Sequence, residues 1–164
     1  MNADLRINPL TGRRVVVTPG RATRPGATGH TSRRDDGADC PFCEGHEHLT
    51  PPELEADRPQ GPPDSPGWTV RIVPNRYPAL PGHEVTVHGP AHVTATADTA
   101  AGVLERAVAA WQRRRTVHHA AGAALVLAGI NEGAAAGASL PHSHSQIVPF
   151  AELPGDALAQ RAAF

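Results

Sequence analysis

The segment Pro141-His142-Ser143-His144-Ser145-Gln146 carries the most reactive pattern in the chain. In an extended strand alternate side chains share a face, so His142, His144 and Gln146 line one surface. A neutral imidazole has a lone pair that can attack phosphorus directly, and the N–P bond it forms is labile enough to be broken in a second step. A backbone carbonyl at the other ring nitrogen would fix the tautomer. Just upstream, Asn131 to Ser139 (NEGAAAGAS) is small and flexible, so its backbone amides can approach an anion closely, as phosphate sites require. The chemistry this points to is attack by His144 on a nucleotide α-phosphate. His-x-His strands also occur as metal sites and as ordinary surface.

A second constellation is Cys40-Pro41-Phe42-Cys43, which holds the only two cysteines. That spacing suits two thiolates on one metal better than a secreted disulfide framework. A redox pair would want a preceding strand and a helix opening at the first cysteine; here the flanks, Asp35-Asp36-Gly37 and Glu44-Gly45-His46, are turn formers. There is no second pair, so further ligands must be histidine or carboxylate. His46 and His48 are nearest and favoured by local spacing, while His92 and His142 lie far along the chain. Arg21 and Arg24, beyond the end of a strand, have guanidinium forks that match phosphate geometry. Arg113, Arg114 and Arg115 read as a solvated helix face, and His118-His119 as partners of that helix's C-terminal dipole.

These groups must be held by a modest frame. The chain has 164 residues, an apolar fraction of 40% and an aromatic fraction of only 4%, so its core is built from Val, Leu, Ile and Ala and should be shallow. Length alone fits one domain over 1–164. Fifteen basic against sixteen acidic residues provide no one-sign field for a nucleic-acid backbone or an anionic membrane. There is no apolar leader at residues 1–10 and no spanning run, so a cytosolic protein is expected.

Patterning places strands at Arg13–Thr18, Thr69–Val73, Glu84–His88, Ala124–Ile130 (buried) and Ser143–Phe150, the second and third being antiparallel neighbours. Residues 19–68 read as mostly irregular, with Pro59–Gly67 poorly ordered. A helix over Asp98–Val117 is capped by Thr96 or Asp98, with Leu104, Ala107, Val108 and Trp111 on one face.

In chain order, Asn8-Pro9-Leu10-Thr11-Gly12, Arg21-Ala22-Thr23-Arg24-Pro25, Cys40-Pro41-Phe42-Cys43, Val73-Pro74-Asn75-Arg76-Tyr77-Pro78-Ala79-Leu80, Gly89-Pro90-Ala91-His92 and Asn131 through Gln146 resemble the galactose-1-phosphate uridylyltransferase family of the histidine-triad superfamily. The resemblance implies an α+β fold, an antiparallel sheet flanked by helices with a long zinc-pinned loop. It implies a structural zinc held by Cys40, Cys43, His92 and His142, which demotes His46 and His48. It implies His144 as nucleophile and Gln146 as hydrogen-bond partner of the phosphoryl oxygens. Arg21 and Arg24 would contact phosphate, with Asn75, Arg76, Tyr77, Asn131, Gly137 and Ser139 around the nucleotide.

The reaction implied is ping-pong transfer of UMP from UDP-glucose to galactose 1-phosphate, through a uridylyl-histidine, in galactose metabolism. A sugar phosphate leaves as a stable dianion and needs no protonating third histidine, so glutamine suffices at position 146. Alternatives are an ADP-glucose or dinucleoside polyphosphate phosphorylase and a non-catalytic zinc-binding module. Ser143 and Ser145 stand where common members of the family have Pro and Gly, and Leu140 where Asn is usual. The family is roughly twice this long, so the chain corresponds to its N-terminal half and implies either a homodimer or a missing C-terminal half. Partners would be a nucleotide sugar and a sugar phosphate.

Overall fold

A computed structural model of the chain describes residues 4–23, 37–155 and 157. Five strands form an antiparallel sheet in the order β3-β4-β5-β7-β6: β3 (Glu55–Asp57), β4 (Val70–Pro74), β5 (Glu84–His88), β7 (His144–Phe150) and β6 (Leu125–Ile130). A separate hairpin pairs β1 (Asp4–Ile7) with β2 (Arg14–Val17) across the turn in which Gly12 N–H donates to the Asn8 carbonyl at 2.8 Å. The long helix, α1 (Val103–Ala120), is the only α-helix of more than one turn among the described residues. None there is long and apolar enough to cross a membrane.

Side-chain alternation gives the sheet two chemically distinct faces. Val70 and Ile72 of β4 pack with Val103, Ala107 and Ala110 of α1. On the opposite face Val73, Val85 and Val87 pack with Cys40, Phe42 and Trp68 of the long loop. The core is thus split into two thin clusters, as an alanine-rich and aromatic-poor composition dictates. Register then fixes the motif: His144 lies opposite Val87 and Gln146 opposite Val85, so both project to the loop face, while Ser145 lies opposite Thr86 and projects to the helix.

Several sequence expectations are corrected. The helix begins after Gly102, whose φ of 81° turns the chain into α1 with no side-chain cap, and Thr96–Asp98 form a separate 3-10 turn. The buried stripe is Val103, Ala107 and Ala110, with Leu104 and Val108 exposed. Arg114 is not on a solvated face. It clamps the buried Glu84 with Nε to Oε2 at 2.9 Å and Nη2 to Oε1 at 2.6 Å, and His118 Nε2 lies 2.8 Å from the same carboxylate. Among the described residues β6 is an edge strand, with Leu127 and Ile130 exposed.

The Pro59–Gly67 stretch is held by specific bonds. Arg58 donates to Glu53 at 2.7 and 2.9 Å and to the Ser65 carbonyl at 2.7 Å, and the buried Arg71 reaches Glu53, Thr50 and Asp64. Burial alone would raise the Glu53 pKa, but its two arginines hold it at about 2. Charge pairing here replaces the apolar packing that the composition cannot supply.

Candidate metal centre and histidine strand

Cys40, Cys43, His92 and His142 come from three distant segments, yet their ligand atoms all lie within 4.8 Å of one another. Cys40 Sγ is 3.6 Å from His142 Nδ1, and Cys43 Sγ is 3.3 Å from His92 Nδ1 and 3.7 Å from His142 Nδ1. A tetrahedral zinc with ordinary bond lengths would separate sulfur from nitrogen by about 3.6 Å. The donor set and its spacing therefore fit a closed four-ligand site, and both thiols are free of disulfides.

Local structure converges on this arrangement. The Cys43 N–H donates to the Cys40 carbonyl at 3.3 Å and the Phe42 N–H points at Cys40 Sγ at 3.4 Å, folding Cys-Pro-Phe-Cys into a knuckle. Gly37, at φ 76°, passes so close to His92 that a Cβ there would meet the ring at 2.9 Å. The Glu44 N–H donates to the Pro90 carbonyl at 3.0 Å, tying the knuckle to the His92 loop. His142 Nε2–H donates to the Gly89 carbonyl at 3.1 Å, which leaves Nδ1 as the ligating nitrogen. His46, favoured by local spacing, instead gives Nδ1–H to the Cys40 carbonyl at 2.8 Å, and neither it nor His48 joins the cluster.

The second imidazole has different work. His144 Nδ1–H donates to the His142 carbonyl at 2.7 Å, so the lone pair of the neutral ring is on Nε2. Burial lowers the His144 pKa, which keeps the ring unprotonated at neutral pH, while the bond to His142 partly opposes that shift. Phe42 packs against His144 with ring centroids 5.3 Å apart and edge-on to His142 at 6.0 Å. The knuckle therefore supports the nucleophile candidate through Phe42 and through the residue whose carbonyl sets its tautomer.

Behind the strand, Ser143 and Ser145 are bound from the helix face. His88 lies 3.0 Å from Ser143 Oγ and 2.9 Å from Ser145 Oγ, and Trp111 Nε1–H donates to Ser145 Oγ at 2.8 Å. His88 is fully buried, and burial holds its pKa down at about 4.

The remaining sequence-derived candidates divide. Asn131 lines a small pocket beside His144 together with Glu132, Gly133 and Thr94; Gly137 and Ser139 do not line it. Arg21 donates to the Tyr77 carbonyl, the Tyr77 N–H donates to Asn75 Oδ1 at 2.8 Å, and His83 Nε2 lies 2.9 Å from Gln146 Oε1 and 3.1 Å from Asn75 Nδ2. Arg76 is exposed, and Arg24 lies outside the described residues. His83 was missed by sequence reasoning. Its signal was faint: a histidine directly before an alternating strand, Glu84–His88.

The chain is similar to proteins already known. No family model matches the chain. The ADP-glucose phosphorylase of Arabidopsis thaliana is 29% identical over 177 residues, covering 92% of this chain and 49% of that protein. The crystal structure of an Arabidopsis thaliana ADP-glucose phosphorylase with bound ADP-glucose superposes with a TM-score of 0.64 at 28% identity, over 99% of this chain and 53% of that one. A uridylyltransferase structure gives 0.67 at 26% identity, over 97% and 49%. These proteins are homologues of the chain. The resemblance to uridylyltransferase-like proteins drawn from the motifs therefore holds for the fold, an antiparallel sheet with a helix on one face. The chain spans about half the length of the curated relative it matches.

Proposed function

We propose that the chain is a nucleotidyltransferase module that takes a nucleoside monophosphate from a nucleotide sugar onto His144. The observation that carries this is the His144 tautomer: Nδ1 is committed to a backbone carbonyl, and Nε2 is the unprotonated nitrogen of a neutral, buried ring. Nε2 attacks the α-phosphorus, an N–P bond forms, and the bond from that phosphorus to the bridging oxygen breaks. The sugar 1-phosphate leaves with the electron pair. In the second step an acceptor phosphate oxygen attacks the same phosphorus and the N–P bond breaks. Gln146 donates to the phosphoryl oxygens, and Arg21 and Arg24 are assigned to phosphate. Asn75, Arg76, Tyr77, Asn131, Gly137 and Ser139 are assigned to the nucleotide.

Zinc is the metal we assign to Cys40, Cys43, His92 and His142, since two thiolates and two imidazoles form a closed set of the structural type. When bound it would supply rigidity rather than a reactive water, because all four positions are filled by protein. The chain's own residues do the rest: His142 positions the carbonyl that fixes His144, and Phe42 excludes water from its ring.

Two donors are weighed. ADP-glucose with inorganic phosphate as acceptor is supported by similarity to a phosphorylase seen with ADP-glucose bound. UDP-glucose with galactose 1-phosphate is supported by the likeness to a uridylyltransferase. Incubating the protein with each donor and mass-analysing the His144 peptide distinguishes adenylyl from uridylyl transfer, and His144→Gly should lose the label while keeping its metal. A label retained by that variant would overturn the nucleophile assignment. The open β6 edge, with Leu127 and Ile130 exposed, is where we place a second copy; a monomer by sedimentation would favour a separate second half instead.

A further inference from the structure

We propose that His83 is the positioning residue for Gln146, holding the glutamine oxygen so that the amide nitrogen is presented to the phosphoryl group at His144. This rests on the transfer activity proposed above. His83 is 4% exposed and directly precedes β5. Its Nδ1 accepts the Ala79 backbone N–H at 2.9 Å. A backbone N–H can only donate, so the single proton of a neutral ring sits on Nε2.

Nε2 lies 2.9 Å from Gln146 Oε1 and 3.1 Å from Asn75 Nδ2. The Asn75 oxygen is engaged by the Tyr77 N–H at 2.8 Å, so Asn75 turns a donor group toward the ring. Gln146 Oε1 is the acceptor that remains, and it takes the His83 proton.

The consequence is directional. A free glutamine amide can flip, and half of its orientations would aim an oxygen at a phosphoryl anion. Bound by His83, Gln146 has its oxygen occupied and only its NH2 group left to offer, which is the polarity that stabilises developing phosphoryl charge. Burial, assisted by the Arg21 charge, holds the His83 pKa down at about 4, so the ring is neutral under working conditions. A cationic ring would aim an N–H at the Ala79 N–H.

The test uses the full chain. Long-range proton–nitrogen spectra of histidine-labelled protein near neutral pH should show His83 as the Nε2–H tautomer; an Nδ1–H or cationic ring overturns the proposal. His144 labelling by ADP-glucose and by UDP-glucose is then timed in wild type, His83→Phe, His83→Gln, Gln146→Ala and the His83→Phe/Gln146→Ala double variant. His83→Phe should slow labelling ~10–100-fold, the range that supporting-shell changes produce. The half-saturating donor concentration should change by less than about 3-fold, as expected when only transition-state stabilisation is lost.

His83→Gln carries an N–H that can reach the same oxygen and should restore most of the rate. The double variant should be no slower than Gln146→Ala, because His83 acts through that residue. Losses that add, or wild-type labelling in His83→Phe, overturn the proposal. If His83→Phe fails to fold, His83→Asn, too short to reach Gln146, takes its place. A folded wild type that accepts no label from either donor overturns the transfer activity instead, and the tautomer alone then decides whether His83 orients Gln146.

Discussion

Stripping the zinc we propose at Cys40, Cys43, His92 and His142 should cost the protein far more stability than four side-chain contacts suggest. The site joins Cys40 to His142 across 102 positions and Cys43 to His92 across 49. Treated as covalent cross-links, closures of that length each restrict the unfolded chain by about 4 to 5 kcal/mol, and because they share one ion they do not add fully. A net loss of about 4 to 6 kcal/mol is therefore the reasoned magnitude. For a chain of this size each kcal/mol moves Tm by roughly 2–4 °C, so a chelated sample should melt about 10 to 20 °C lower. Cys43→Ser should melt low from the outset and respond little to chelator. The assay is scanning calorimetry with metal content measured on the same samples, followed by zinc add-back. A Tm that stays within about 2 °C after the metal is shown to be gone would refute the cross-link reasoning.

Three further outcomes follow. Burial holds the His83 pKa at about 4 in the fold against an ordinary 6.5, the Gln146 bond and the Glu84 charge opposing the shift and the Arg21 charge adding to it. Its folded pKa is depressed, so its neutral form is intact above the unfolded pKa; stability should fall as pH drops from 6.5 toward 4 and then level, by up to about 3 kcal/mol. Urea titrations across that window should show a steeper slope in wild type than in His83→Gln, which keeps the contribution of the equally depressed His88. Arg114→Met leaves Glu84 buried with only His118 beside it and should destabilise by about 3 kcal/mol in the same assay, the usual range for an orphaned buried charge. Ser145→Ala removes the hydroxyl that accepts from Trp111 and meets His88, and should cost about 1–3 kcal/mol, read as a lower midpoint at unchanged slope.

What was legible in the sequence was what local chemistry dictates. Alternation along Thr69–Val73, Glu84–His88 and Ser143–Phe150 placed the central strands, and the spacing in Cys40-Pro41-Phe42-Cys43 placed a knuckle. What the sequence could not reveal depends on tertiary partners. Arg114 reads as surface on a helix projection because its counter-charge, Glu84, sits on a strand that no local pattern brings near. Pro59–Gly67 reads as poorly ordered because its order comes from bonds between Asp64, Ser65 and Gly67 and distant partners, Arg71, Arg58, Glu53 and Glu44. β6 looks buried by its apolar run, yet among the described residues it is the last strand of the sheet. Local spacing alone pointed to His46 and His48, but the motif resemblance named His92 and His142, and those are the two that the fold brings to Cys40 and Cys43. His83 was invisible because its role is a bond to Gln146, 63 positions away.

The central claim is that His144 Nε2 accepts a nucleotidyl group. Its most direct test is the mass of the His144 peptide after the folded, metal-containing chain has been incubated with ADP-glucose or UDP-glucose and quenched under alkaline conditions, where an N–P bond survives. One adenylyl or uridylyl group is expected on His144, absent in His144→Gly. An unmodified His144 with both donors, or a label on any other residue, would contradict it.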